Sequence, residues 1–235
     1  MDGQSNLNED DGNDKSFEEH VVAGISQECI DEINKIKNND PNFRAFSLHP
    51  GEAERFFTEP AWELLGRYIA NNDHLEHIDL RNAHLTDMKI SLLFRHWTMS
   101  GSLKNLDLSV NSFGPSGIQS MAPFLKNAPN LTHLDIGQNM NLDSECFRLV
   151  IDALHGGSIK ELRSEECDID DISALGHCTL PHLQLLYLDD NRIRTVPSLE
   201  KYTNLWRLWL RRNNIGTESC KSIAKLMQRE SSSLR

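Results

Sequence analysis

Two groups of side chains in this sequence combine reactive types with regular spacing. The first is Asp79, Asp107 and Asp135, each preceded two residues earlier by a polar partner, His77, Asn105 and His133. Carboxylates and imidazoles gathered this way would share a proton or hold a cation, because like charges at short range resist joint ionisation. The plainer reading, preferred here, is a row of solvated ladder residues or general partner contacts. The second group is Leu185, Tyr187, Trp206, Arg207, Trp209, Arg211 and Arg212, with Glu165, Glu166, Asp189 and Asp190 alongside. Flat aromatics among guanidinium groups bury large area at small entropic cost and offer directed hydrogen bonds, so they often dominate interface energy. Partner-binding residues are therefore expected at Tyr187, Trp206, Arg207, Trp209, Arg211 and Arg212. The alternative is that one tryptophan folds back on a domain edge and the arginines serve only to pair with those acids.

Neither group comes with a catalytic set. The sequence has no G-x-S-x-G, no H-E-x-x-H, no kinase signature and no G-x-x-x-x-G-K-[ST] phosphate loop. A cysteine nucleophile would need a positioned base, and none is evident. Cys29, Cys146, Cys167, Cys178 and Cys220 are odd in number, widely spaced and without zinc-ligand or disulfide-framework spacing. No catalytic, cofactor or metal residue is assigned, the protein is expected not to be an enzyme, and its thiols fit a reducing, cytoplasmic compartment.

The elements that position these residues follow from an internal repeat. The skeleton L-x-x-L-x-L-x-x-N-x-L recurs as LEHIDLRNAHL, LKNLDLSVNSF, LTHLDIGQNMNL, IKELRSEECDI, LQLLYLDDNRI and LWRLWLRRNNI. Its leading positions Leu75, Leu103, Leu131, Ile159, Leu183 and Leu205 lie 28, 28, 28, 24 and 22 residues apart. Each unit predicts one short parallel strand whose first, fourth and sixth positions enter a shared core that no unit buries alone. The third and fifth positions then form columns on the opposite face, with strands about 4.8 Å apart. The third position reads His77, Asn105, His133, Glu161, Leu185, Arg207, and the fifth Asp79, Asp107, Asp135, Arg163, Tyr187, Trp209. Asn111, Asn139, Asn191 and Asn213 fall at the turn after the strand, where an amide can serve backbone groups that lack a ladder partner. Cys167 takes that place in the fourth unit and is read as structural. Helical periodicity is expected over 87–97, 115–126 and 144–154, while the shorter fourth and fifth units leave room for one tight turn at most.

Domain limits follow from composition. The net charge of −11 over 235 residues is concentrated at the start, where Asp2, Glu9, Asp10, Asp11, Asp14, Glu18 and Glu19 face one Lys15. Residues 1–18 are expected to be a disordered acidic tail. Residues 19–74 read as a helical cap, with Val22, Ile25, Cys29, Ile30, Ile33 and Ile36 on one face, followed by a degenerate repeat at Phe43, Phe46 and Leu48. Residues 75–235 read as the repeat array, its last unit incomplete because Leu234 opens a seventh match one residue before the end. An uncapped apolar end of that kind favours end-to-end self-association. The acidic balance argues against phosphate tracking on nucleic acid, and no apolar run is long enough to span a membrane.

The skeleton resembles the leucine-rich-repeat superfamily over about residues 43–235. Its 28-residue units are similar to the ribonuclease-inhibitor subclass, and the 22-residue unit is similar to repeats of phosphatase-regulatory members. The resemblance implies an α/β right-handed solenoid, a horseshoe with parallel strands on the concave face and helices on the convex face. It also implies a protein partner on the concave face, hence an adaptor or scaffold without cofactor. The alternatives are a GTPase-activating or phosphatase-regulating protein, or a fragment of a larger receptor or sensor.

Overall fold

The computed structural model describes residues 16–227. Seven three-residue strands form one parallel sheet in chain order: β1 (Ala45–Ser47), β2 (His77–Asp79), β3 (Asn105–Asp107), β4 (His133–Asp135), β5 (Glu161–Arg163), β6 (Leu185–Tyr187) and β7 (Arg207–Trp209). From β2 onward every strand starts two residues after the leading leucine or isoleucine of its repeat. The register keeps motif positions opposite one another, with His77 facing Asn105, Asn105 facing His133 and Tyr187 facing Trp209. The central residues Phe46, Ile78, Leu106, Leu134, Leu162 and Leu186 point into the core and are no more than 2% exposed. The array is a right-handed leucine-rich-repeat horseshoe, strands on the concave side and helices on the convex side.

Each repeat leaves its strand through a left-handed residue at one motif position: Asn82, Val110, Gln138, Glu166, Asp190 and Arg212. At φ 57 the β-branched Val110 is strained there. Behind this turn runs an amide ladder. Asn111 donates to Leu80, Leu108 and Ser109 carbonyls and accepts from Leu85 N–H. Asn139, Asn191 and Asn213, in the third, fifth and sixth units, donate in the same way, and Asn191 and Asn213 also accept from the Ile169 and Ile193 N–H groups. Cys167 fills the gap in the fourth unit, its thiol donating to the carbonyls of Ile136 and Glu165.

The convex layer is formed by α1 (Gln27–Lys37), α2 (Glu52–Phe56), α3 (Glu59–Ala70), α4 (Asp87–Phe94), α5 (Pro115–Lys126), α6 (Ser144–Ala153), α7 (Ala174–His177) and α8 (Thr217–Met227). Pro115 starts α5 with the φ a first turn needs. Helix α4 stops three residues short of the expected Trp97. That tryptophan is fully buried and stacks on Phe94 at 4.8 Å with planes 8° apart, both rings resting on Phe124. Packing three aromatic rings outweighs one more helical turn. The fourth unit keeps only the four-residue α7, and the fifth has no helix before β7.

At the N-terminal end α1 lays Cys29, Ile33 and Ile36 over the first repeat, and Ser26 Oγ accepts from the Cys29 N–H at 3.2 Å to cap it. Phe17, inside the span that composition marks as tail, is buried and meets Phe57 edge-on at 5.3 Å. An aromatic anchor thus overrides the acidic context, and residues 1–15 lie outside the described residues. At the other end Leu208, Leu210 and Ile215 are only half-buried, although Leu186, Leu188 and Ile193 at the same motif positions are fully buried. Leu234 lies outside the described residues.

Candidate functional site

The strand register converts the third and fifth motif positions into two columns on the concave face. In the first units the fifth-position carboxylates have a local task. One oxygen of Asp79 accepts from the Arg81 N–H at 2.9 Å, and Asp135 does the same for Gly137 at 2.9 Å. Asp107 accepts from both the N–H and the hydroxyl of Ser109, at 2.8 and 2.6 Å. Each aspartate closes the turn that follows its strand, which is the mechanism that favours Asp at such bends. The Asp135 carboxyl is pushed up to about 7, first by burial and then by Asp107 and Glu165, against the opposing Gly137 N–H and Arg163.

These carboxylates floor a recess of about 550 Å³ over β1 to β5, with His49, His77 and His133 on its lining. His133 is held by Thr132 through Nδ1 at 2.8 Å and faces Glu161 at 3.7 Å through Nε2. Asn105 separates His133 from His77 in the column. Among the described residues no three His, Cys, Asp or Glu side chains converge as a metal site would require. The Cys167 thiol is pushed up to about 12, chiefly by burial, which leaves it a weak nucleophile.

The C-terminal half of the face has different chemistry. Glu161 fixes Arg163 by a 2.6 Å hydrogen bond to Nε, and the guanidinium lies 4.2 Å over the Tyr187 ring. Tyr187 stacks on Trp209 at 3.9 Å with planes 10° apart. Beyond them the Arg207 guanidinium sits 5.5 Å from Trp209 and 4.5 Å from Trp206. The result is a half-buried ladder of cation and ring contacts across β5, β6 and β7.

Tyr187, Trp206, Arg207 and Trp209 are therefore brought together. Arg211 and Arg212 are exposed on the turn after β7, where Arg211 N–H donates to Asp189 at 2.6 Å and Arg212 pairs with Asp190 at 3.1 Å. Arg163 belongs to the ladder and was absent from the expected set. Its place beside Tyr187 in the fifth-position column was the available signal.

No family model matches the chain. Among curated proteins it is 28% identical over 196 residues to the protein phosphatase 1 regulatory inhibitor subunit PPP1R7 homolog of Arabidopsis thaliana. The match covers 80% of this chain and 55% of that protein, so the chain spans about half the length of the curated relative it matches. Among solved structures, leiomodin-1 actin-binding site 2 superposes with a TM-score of 0.50 at 15% identity, over 57% of this chain and 78% of that one. The tropomodulin C-terminal domain from Caenorhabditis elegans gives 0.51 at 14% identity, over 62% and 86%. At such identities the likeness is one of fold. With the repeat skeleton, the in-register sheet and the amide ladder all present, the chain has the leucine-rich-repeat solenoid fold.

Proposed function

We propose that the protein is a binding adaptor or scaffold that takes a protein partner on its concave face, anchored by Tyr187, Trp206, Arg207 and Trp209. The observation that carries this is the ring and guanidinium ladder on β6 and β7. The other tryptophans, Trp62 and Trp97, are fully buried, whereas Trp206 and Trp209 stand half-exposed on a sheet face whose own core does not use them. Aromatic and arginine side chains so placed are the usual anchors of an interface. Arg211 and Arg212 would then act as rim contacts at the adjoining turn. The test is a pull-down comparing the chain with a Tyr187→Ala, Trp206→Ala, Trp209→Ala variant of unchanged fold. A specific partner captured by the first and lost by the second is the expected result. The same proteins captured by both would remove the aromatic patch from consideration and turn attention to the aspartate and histidine columns.

A phosphatase-regulating role is the second reading, favoured by the similarity to the phosphatase 1 regulatory subunit homolog. Its test is the rate of a purified protein phosphatase 1 catalytic subunit with and without the chain. An unchanged rate leaves only the adaptor reading. The 28-residue units, with the long convex helices α4 to α6, support a ribonuclease-inhibitor-like subclass, and the helix-poor fourth and fifth units support the shorter phosphatase-regulator type. The five free cysteines support a reducing, cytoplasmic setting. The half-buried Leu208, Leu210 and Ile215 support end-to-end self-association, for which sedimentation equilibrium over a hundred-fold concentration range is the measurement. A constant monomer mass would exclude it.

A further inference from the structure

The concave face carries opposite charges at its two ends. At one end Asp79, Asp107 and Asp135 stand in register on β2, β3 and β4, and none of them has an ion-pair partner among the described residues. Asp107 and Asp135 commit one oxygen to the turn, and their second oxygens receive no hydrogen bond from the described residues. At the other end Arg207 lies between Trp206 and Trp209, with no carboxylate at ion-pair distance among the described residues. Its neighbours differ: Arg163 is held by Glu161, Arg192 by Asp168 and Arg212 by Asp190, at 2.6, 2.8 and 3.1 Å. A guanidinium flanked by two ring faces has lost part of its hydration and of its rotamer freedom, so it is prepared for an anion that the chain itself does not supply.

We propose that the occupant of this face is an extended segment of a partner protein. Its aspartate or glutamate is held by Arg207, and its lysine or arginine, about six residues away, lies over Asp79 and Asp107. The spacing follows from geometry: β7 is four or five strand steps from β3 and β2, roughly 19–24 Å, and an extended chain covers about 3.3–3.6 Å per residue. The segment crosses the strands, because the sheet's own ladder already occupies the backbone groups of β2 to β6. Recognition therefore rests on side chains and on the distance between them. A polyanion would satisfy Arg207 but meet the Asp79 and Asp107 carboxylates in the recess, and a polycation would meet the opposite conflict at β7. A segment bearing both signs fits both ends.

The inference rests on the concave-face reading above, and its test separates the two. Random twelve-residue peptides displayed on phage are panned against the full chain, and the enriched peptides are synthesised. The expected set carries an acidic and a basic residue about six apart. Arg207→Gln weakens such a peptide about ten-fold or more, as does replacing the peptide's own carboxylate by an amide, and the two losses do not add. The Asp79→Asn, Asp107→Asn pair behaves likewise toward the peptide's basic residue. Circular-dichroism melting confirms that the variants stay folded. Enriched peptides that lack the charge pair yet lose binding to the Tyr187→Ala, Trp209→Ala variant overturn the charge pairing and leave the concave-face reading standing. Peptides that bind that variant as well as the natural chain overturn both, and an absence of enrichment overturns the linear segment.

Discussion

Tyr187 and Trp209 lie face to face across β6 and β7, ring centroids 3.9 Å apart and planes 10° from parallel. The strand spacing sets their separation, since residues at the same motif position in register are brought within van der Waals range. The pair stabilises the last repeat only modestly, by about 0.5–1.5 kcal/mol, and presents its outer surface to whatever the concave face receives.

Trp209→Ala is accordingly expected to lower unfolding stability by about 1 kcal/mol while weakening partner binding by about 2 kcal/mol or more. Trp97→Ala, which empties a fully buried site between Phe94 and Phe124, is expected to cost about 3–5 kcal/mol of stability. Urea unfolding of both variants, with capture of the partner by the first, checks the contrast. A Trp209→Ala protein as unstable as Trp97→Ala would mean that the stack is core.

Asp135 gives a pH signature. Because its carboxyl is raised to about 7, the folded state holds that proton more tightly than the unfolded chain does. The group's contribution therefore falls as pH rises from the ordinary carboxylate range through 7, and above 7 the ionised form is a penalty. Asp135→Asn keeps an oxygen to accept the Gly137 N–H and removes the ionisation. The variant should exceed the natural chain in stability at pH 8 by about 1–2 kcal/mol, a discounted value because the half-buried carboxylate still meets water. The two should converge near pH 4–5. A stability difference that stayed the same between pH 5 and pH 8 would contradict the raised carboxyl.

The repeat spacing and the columns were legible in the sequence, because a period-two strand in register leaves little freedom in which residues become neighbours. Tyr187 beside Trp209 and Arg207 beside Trp206 follow from numbering alone. Side-chain direction did not follow. Arg163 and Arg212 are both arginines at the edge of the same patch, yet one lies over a ring and the other turns to Asp190. That choice is set by rotamers and by which carboxylate is within reach. The early end of α4 was hidden for a related reason, since local helical periodicity says nothing about Phe124 one repeat away.

The amide ladder separates equivalent positions by chemistry. Asn139 is fully buried, and its side-chain N–H groups serve the carbonyls of Leu108, Ile136 and Gly137. Asn139→Ala removes three hydrogen bonds from a dry interior, although Asn111, the Cys167 thiol and the Val110 N–H still donate to the Leu108, Ile136 and Gly137 carbonyls, and is expected to cost about 1–3 kcal/mol. Cys167→Ala, at the same motif position, removes two long thiol contacts and should cost about 1 kcal/mol. Thermal unfolding of the pair is the check. In the native protein a disulfide reagent should react quickly with the exposed Cys220 and slowly with Cys167.

Gly66 supplies a prediction in which two rules oppose each other. In the interior of a helix such as α3, replacing glycine by alanine ordinarily stabilises by about 0.8–1 kcal/mol, through lower backbone entropy in the unfolded chain. Here a methyl group would fall 2.0 Å from the Leu93 carbonyl oxygen and 2.8 Å from its carbon, both belonging to the backbone of α4. No rotamer change relieves a clash with a main chain, so α3 and α4 must separate and loosen the core beneath them. Gly66→Ala should therefore destabilise by at least about 2 kcal/mol. Exposed Gly101 has nothing within 4 Å of its Cβ position, and alanine there should be close to neutral. If urea unfolding showed Gly66→Ala to be stabilising, the close contact between the first convex helices of the array would have to be abandoned.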